Sequence, residues 1–437
     1  MNTLSSLRAG KLAGTKRLDL SVGLTEFPPE IFELADSLEI LNLSGNRLTH
    51  LPEDLPRLHR LRVIFCSDNL FETLPEVLGA CPALSMVGFK ANRIRRVPAQ
   101  SLPPALRWLI LTDNAVEELP AELGRCSQLQ KLMLAGNHLS ALPLEMAGCT
   151  GLELLRIAAN RFTDLPDWLL TLPRLSWLAY GGNPFSDLSE AAVLARHPIA
   201  PIAWDDLELT HQLGEGASGV IYHAQRRSGL ADLPDVAVKL FKGAMTSDGL
   251  PRSEMDACIS AGRHPNLIPL EGRILDHPEG ADGLVMALID KRFHNLAGPP
   301  SLASCTRDSY GPDIRFSLDA ALRIASGIAS AAGHLHAQGI LHGDLYGHNI
   351  LRNDQGDCLL GDFGAASFFV PEDRPRAKAL QRLEVRAFGC LLEELLDRCP
   401  AAPDALWALQ HRCVDADVGR RPLFGEIGDA LAESSEW

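Results

Sequence analysis

The stretch Gly339-Ile340-Leu341-His342-Gly343-Asp344-Leu345-Tyr346-Gly347-His348-Asn349-Ile350-Leu351 sets a carboxylate and an amide five residues apart between short apolar runs. Asp362-Phe363-Gly364 follows eleven residues after Leu351 and adds a second carboxylate. Hard oxygen donors of this kind suit Mg²⁺, which keeps several waters and shares substrate phosphates with one or two carboxylates. Taken alone, the same text also reads as a polar turn between two strands. The segments upstream decide between the two.

Leu213-Gly214-Glu215-Gly216-Ala217-Ser218-Gly219-Val220-Ile221 contains GxGxxG. It lies between strand-like stretches (Leu207–Leu213 and Val220–Ala224), not between a strand and a helix as dinucleotide folds require. A glycine-rich hairpin lets backbone come close to phosphates. Val236-Ala237-Val238-Lys239 follows, and a buried lysine needs an acidic partner. Glu254 on the next helical stretch is the first candidate and Asp256 the second. Leu284-Val285-Met286-Ala287-Leu288-Ile289 reads as a strand running into a hinge, and Leu318 to Gln338 has helical periodicity.

In this order and spacing the motifs resemble the protein kinase family, whose usual strings are HRDLKxxN and DFG. The resemblance covers residues 205 to about 432. The nearest relatives are the tyrosine-kinase-like branch and the plant and bacterial receptor-type kinases. It implies an α+β bilobal fold and ATP with Mg²⁺ as cofactors. Asp344 is then the base that takes the substrate hydroxyl proton, and Asn349 and Asp362 hold the metal. Lys239 clamps the α- and β-phosphates and Glu254 positions it. Leu213, Gly214, Gly216, Gly219, Ile221, Ala237, Met286 (the gatekeeper position), Leu288 and Leu351 (the floor under adenine) line the nucleotide site. Arg386 to Leu392 is similar to the long central helix of the large lobe, and Gly419-Arg420-Arg421-Pro422 to a late family motif.

The chain departs from the family pattern at three places. Gly343 stands where an arginine usually receives a phosphorylated activation loop. Only six residues separate Gly364 from Pro371-Glu372, with Ser367 their sole hydroxyl, so the activation segment is short and switching by loop phosphorylation is not expected. Tyr346 replaces the lysine that reaches the γ-phosphate, and His348 two positions later is the residue expected to take over part of that charge. The expected function is γ-phosphoryl transfer to a protein hydroxyl, serine or threonine by preference. The alternatives are a pseudokinase scaffold without transfer and a small-molecule kinase.

The first half is repetitive. Asn46, Asn69, Asn92, Asn114, Asn137, Asn160 and Asn183 recur at gaps of 23, 23, 22, 23, 23 and 23 within LxxLxLxxNxLxxLP, which is the leucine-rich repeat signature. Strand alternation sends the positions five and three before each asparagine inward, as with Leu41 and Leu43. The asparagine amide satisfies backbone of the turn that follows, and a proline stiffens the return. One such unit buries too little to stand alone, so about eight stack into an α/β horseshoe solenoid. The expected organisation is a cap over residues 1–15, the solenoid over 16–196, a linker over 197–204 and the kinase-like domain over 205–437. Positions six and four before each asparagine face outward on the concave surface. Phe65, Met86, Trp108, Ile110, Met133 and Trp177 in that column form a candidate protein-binding groove, with Val63 and Leu154 beside them. Cover by the chain's own second half is the other reading of that column.

Composition narrows the class further. With 46% hydrophobic and 22% charged residues the chain is globular, and a formal net charge of −14 argues against a general nucleic-acid binder. The first fourteen residues lack a signal-peptide core, and no apolar run is long enough for a membrane span. The ten cysteines include no CxxC pair, and Cys81, Cys126 and Cys149 share one repeat phase as small buried residues. A reducing cytoplasm is the expected location.

Overall fold

The computed structural model describes residues 3–194, 199–216, 218–227, 234–243, 245–400 and 402–434. Residues 1–2 of the expected cap, 195–196 of the expected solenoid, 197–198 of the expected linker and Ala217 of the glycine loop lie outside the described residues. The chain divides into two compact units, Met1–Leu172 and Pro173–Trp437.

After a short helix α1 (Thr3–Arg8), the first unit is a ladder of three-residue parallel strands. They are β1 (Arg17–Asp19), β2 (Ile40–Asn42), β3 (Val63–Phe65), β4 (Met86–Gly88), β5 (Trp108–Ile110), β6 (Lys131–Met133) and β7 (Leu154–Arg156), each paired in register with the next. This is the parallel sheet of a leucine-rich repeat solenoid. The return segments are 3₁₀ turns, not α-helices, among the described residues. A proline stands at the N-cap of those starting at Glu76, Ala99, Ala121, Leu144 and Asp167. A period of 23 residues leaves about five for the return, too few for a stable α-helix.

The asparagines do more than finish their own turn. The amide of Asn137 donates to the carbonyls of Leu134 in its own repeat and Leu111 in the preceding one, both at 2.9 Å, while its oxygen accepts from Val116 N–H at 3.0 Å. Asn69, Asn114 and Asn160 repeat the pattern. The residue before each asparagine is left-handed: Gly45, Asp68, Ala91, Asp113, Gly136, Ala159 and Gly182 all have positive φ. That conformation turns the side chain back across the stack. Asn137→Ala strands three buried backbone groups, and at ~1 kcal/mol or more each the unit should lose about 3 kcal/mol in a denaturant titration.

The outward column is more enclosed than strand alternation alone suggests. Phe65, Trp108 and Ile110 are half-buried, but Val63, Met86, Met133 and Leu154 are buried. Neighbouring strands lie about 5 Å apart, so equivalent side chains pack edge to edge. Phe65 meets the Trp108 ring edge-on at 6.5 Å, and the Lys131 ammonium sits 4.5 Å from that indole.

The second unit opens with β8 (Trp177–Ala179) and α2 (Pro184–Leu194). A six-stranded sheet follows, built from β9 (Pro201–Ala203), β10 (Leu207–Glu215), β11 (Gly219–Arg226), β12 (Val236–Phe241), β13 (Leu270–Leu275) and β14 (Gly283–Ala287) in the order β10-β11-β12-β14-β13-β9. Helix α3 (Pro251–Ala261) joins β12 to β13. The helical part holds α4 (Leu318–Ala337), α5 (Arg374–Leu396), α6 (Asp404–Cys413) and α7 (Phe424–Glu433). Ser317 caps α4 by accepting from Ala320 N–H at 3.2 Å, and small alanines along it allow close approach of its neighbours. Short strands β15 (His294–Asn295), β16 (Ile340–Leu341), β17 (Ile350–Arg352), β18 (Cys358–Leu360) and β19 (Ser367–Phe368) frame the polar loops between α4 and α5. This mixed α+β arrangement is that of a kinase-like fold. Among the described residues no helix is long and apolar enough to cross a membrane. All ten cysteines are free thiols.

Candidate nucleotide and phosphotransfer site

The β10–β11 hairpin, β12, α3 and the start of the Asp362 loop enclose a cavity of about 500 Å³. Gly214, Gly216, Gly219, Ile221, Lys239, Glu254, Met286 and Asp362 line it. Beside Gly214 and Gly216 a Cβ would meet only open space, whereas at Gly219 it would come within 2.4 Å of the Leu240 carbonyl. The first two glycines thus leave room over the cavity and the third closes the hairpin. Leu213 and Leu288 are exposed, and with Ala237 and Leu351 they fall outside the lining.

Lys239 and Glu254 form an ion pair between β12 and α3, and the glutamate is 2% exposed. Burial works against charge on the lysine, but Glu254 and Asp362 outweigh it and hold the amine above its ordinary value. Asp256 instead faces Arg252 at 3.8 Å.

The loop between β16 and β17 carries the acidic and amide groups. The Asn349 amide donates to the Asp344 carboxylate and to its backbone carbonyl, both at 2.9 Å, which fixes the carboxylate on its loop. Two bonds tie this loop to the Asp362 segment: the His342 ring to the Gly361 carbonyl at 2.9 Å and Gly361 N–H to the Asn349 carbonyl at 3.0 Å. Asp362 has a positive φ of 56°, an uncommon backbone state for a non-glycine residue, and accepts from Gly364 N–H at 3.2 Å. Among the described residues no three His, Cys, Asp or Glu side chains converge as a metal cage. That donor set fits Mg²⁺ held by one carboxylate and one amide oxygen, with phosphate and water completing the shell.

Gly343 is required by its surroundings. Its φ is +72°, and a Cβ there would lie 2.3 Å from the Ala365 carbonyl and 2.8 Å from that of Leu178. Its N–H donates at 2.6 Å to Glu384, a carboxylate buried in α5 whose other oxygen bonds the His336 ring of α4 at 2.7 Å. Burial alone would push the Glu384 carboxyl up, yet its hydrogen bonds and the neighbouring histidines hold it below its usual range. Glu384 thus anchors the loop to both long helices. It escaped the sequence reading, although a carboxylate set between Leu383 and Val385 on a long helix was a usable signal.

His348 leans on a second residue that spacing did not reveal. Its ring bonds Asp308 at 2.7 Å and its N–H reaches the same carboxylate at 3.0 Å. Burial opposes charge on the ring, but Asp308, with Asp344 and Asp362 adding, raises its pKa above the ordinary value. Tyr346 is buried, its ring parallel to that of Trp177 with centroids 4.3 Å apart. Trp177, expected on an open concave face, is therefore enclosed at 1% exposure. Ser367 is fully buried and accepts from Tyr180 N–H at 2.9 Å.

The family model for protein tyrosine and serine/threonine kinases matches residues 207–389, and a leucine-rich repeat model matches residues 37–58. The chain is similar to a probable serine/threonine-protein kinase of Arabidopsis thaliana, 31% identical over 159 residues, which are 32% of this chain and 26% of that protein. It is also similar to an L-type lectin-domain containing receptor kinase of Oryza sativa, 27% identical over 264 residues, 52% of this chain and 35% of that one. The chain thus spans about a quarter to a third of the length of these relatives. A solved leucine-rich repeat protein of Leptospira interrogans shares 29% identity across 43% of this chain and 48% of its own, with a TM-score of 0.39. The chain joins a leucine-rich repeat domain to a protein-kinase-like domain.

Proposed function

We propose that the second unit transfers the γ-phosphoryl group of ATP to a protein hydroxyl, serine or threonine by preference, and that the repeats bind a protein partner. The observation that carries this reading is the Asp344–Asn349 pair, hydrogen-bonded to the segment that ends in Asp362, beside a cavity holding the Lys239–Glu254 ion pair. Asp344 accepts the proton of the attacking hydroxyl, and Asn349 keeps that carboxylate aimed. Lys239 meets phosphate oxygens, with Glu254 holding it in place. Mg²⁺, held by Asn349 and Asp362, would neutralise charge on the phosphates. The repeat contact rests on Phe65, Trp108 and Ile110, the half-buried members of the outward column. Ten cysteines, none of them in a disulfide, fit a reducing cytoplasm.

The activation segment is read as short: only β19 lies between Gly364 and the start of α5. Ser367 within it is buried, which speaks against control by its phosphorylation. One observation favours the scaffold reading. Tyr346, at the position of the usual phosphate-reaching lysine, is enclosed by Trp177. His348 supplies the replacement charge in our reading. Its raised pKa extends the charged form to higher pH, so turnover should decline as pH rises through the folded-state pKa of His348. His348→Gln should remove that limb of the pH–rate profile. The deciding experiment incubates the full chain with γ-labelled ATP, Mg²⁺ and a generic protein substrate. Substrate-dependent label on protein supports transfer, whereas Mg²⁺-dependent ATP uptake without label supports the scaffold.

A further inference from the structure

Residues 173–194 carry the eighth repeat's sequence but belong to the kinase-like unit. They touch its machinery from two sides. On one side Trp177 stacks on Tyr346 with 6° between the ring planes, and its indole N–H donates to the Leu345 carbonyl at 3.1 Å. Leu345 and Tyr346 both lie between Asp344 and Asn349. On the other side α2 packs on α3, where Glu190 hydrogen-bonds Ser253, the neighbour of Glu254. Gly181, between the two contacts, would bring a Cβ within 3.1 Å of the Ala366 carbonyl and 3.7 Å of Ser253 Cβ.

Asp308 and Asn295 hold His348 from one flank, and Trp177 covers the opposite end of the same turn. We propose that strand β8 and helix α2 are a built-in positioning element, with Trp177 the positioning residue that keeps the Asp344–Asn349 loop in register and α2 bracing the helix that presents Glu254. This deepens the phosphotransfer reading and rests on it. In that role the repeat-derived strand occupies the surroundings of Gly343, where the family's arginine and phosphorylated loop would otherwise act. A misplacement of about 1 Å at a reacting group can cost on the order of 100-fold in rate. Modest slack in this turn therefore matters.

The test compares two full-chain variants, Trp177→Leu, which stays apolar but has no ring to stack, and Trp177→Phe, which keeps the stack and loses the indole bond. The leucine variant should lose hydrogen–deuterium exchange protection over residues 343–349. Its kcat should fall on the order of 10–100-fold with KM for ATP nearly unchanged. The phenylalanine variant should keep protection and stay within about fivefold of the parent. Parental exchange over 343–349 in the leucine variant overturns the proposal, as does equal loss in both variants. Exchange is read whether or not the parent transfers phosphate. A parent without turnover therefore defeats the functional reading alone.

Discussion

Asp344→Asn should lower phosphoryl transfer by about 10²–10⁴-fold while leaving Mg²⁺-dependent ATP uptake close to that of the parent. The substitution is nearly isosteric, and the amide still offers an oxygen to the Asn349 side chain, which now bonds the Asp344 carboxylate at 2.9 Å. The loop geometry is therefore kept and only the proton acceptor is lost. Asp344 is not among the residues lining the cavity proposed for ATP, so affinity for ATP has no direct reason to change. Single-turnover transfer and calorimetry on the same preparation separate the two effects. Full transfer by the asparagine variant would assign Asp344 a purely architectural role.

The second large effect is expected at the buried ion pair. Lys239→Met leaves Glu254, 2% exposed, without its cation. Removing one partner of a buried pair costs about 3–5 kcal/mol, which in a unit of this size lowers the melting temperature by roughly 10 °C. Burial already pushes the Glu254 carboxyl above its usual range, and Asp362 adds to this against the pull of Lys239. Without the lysine the carboxyl goes higher still and takes up a proton. A carboxyl raised in the folded state binds more protons there than in the unfolded chain. The stability penalty therefore grows as pH rises above the unfolded value. The deficit should be larger at pH 8 than at pH 5. Lys239→Met with Glu254→Leu should recover most of the lost stability but none of the lost ATP affinity. A single variant melting like the parent at both pH values would contradict the account.

These two sites were legible in the sequence because their geometry is local. Asp344 and Asn349 share one loop, and the Lys239 strand and Glu254 helix are consecutive elements. The asparagine series was legible because it is periodic. Contacts between distant segments follow no spacing rule and stayed hidden. Trp177 is 168 residues from Leu345, whose carbonyl it binds, and alternation placed its side chain outward without saying what it would meet. Asp308 and Glu384 reach the loop from 40 and 41 residues away. The substitutions at Gly343 and Tyr346 were visible as departures, but their reasons were not. Those reasons are the Ala365 and Leu178 carbonyls in one case and an indole face in the other.

The cross-repeat asparagine bonds have a consequence for how such an array can change length. The Asn137 side chain bonds the repeat behind it twice, at the Leu111 carbonyl and at Val116 N–H, and Asn160 does the same to the Asn137 repeat at the Leu134 carbonyl and Leu139 N–H. Duplicating a whole 23-residue module recreates every donor and acceptor in phase. The return segment absorbs a one-residue change, as in the 22-residue gap before Asn114, whereas a shift between a strand and its asparagine would leave carbonyls facing apolar side chains. Insertion or removal of whole modules is therefore the large change in length that the first half accepts without losing these bonds.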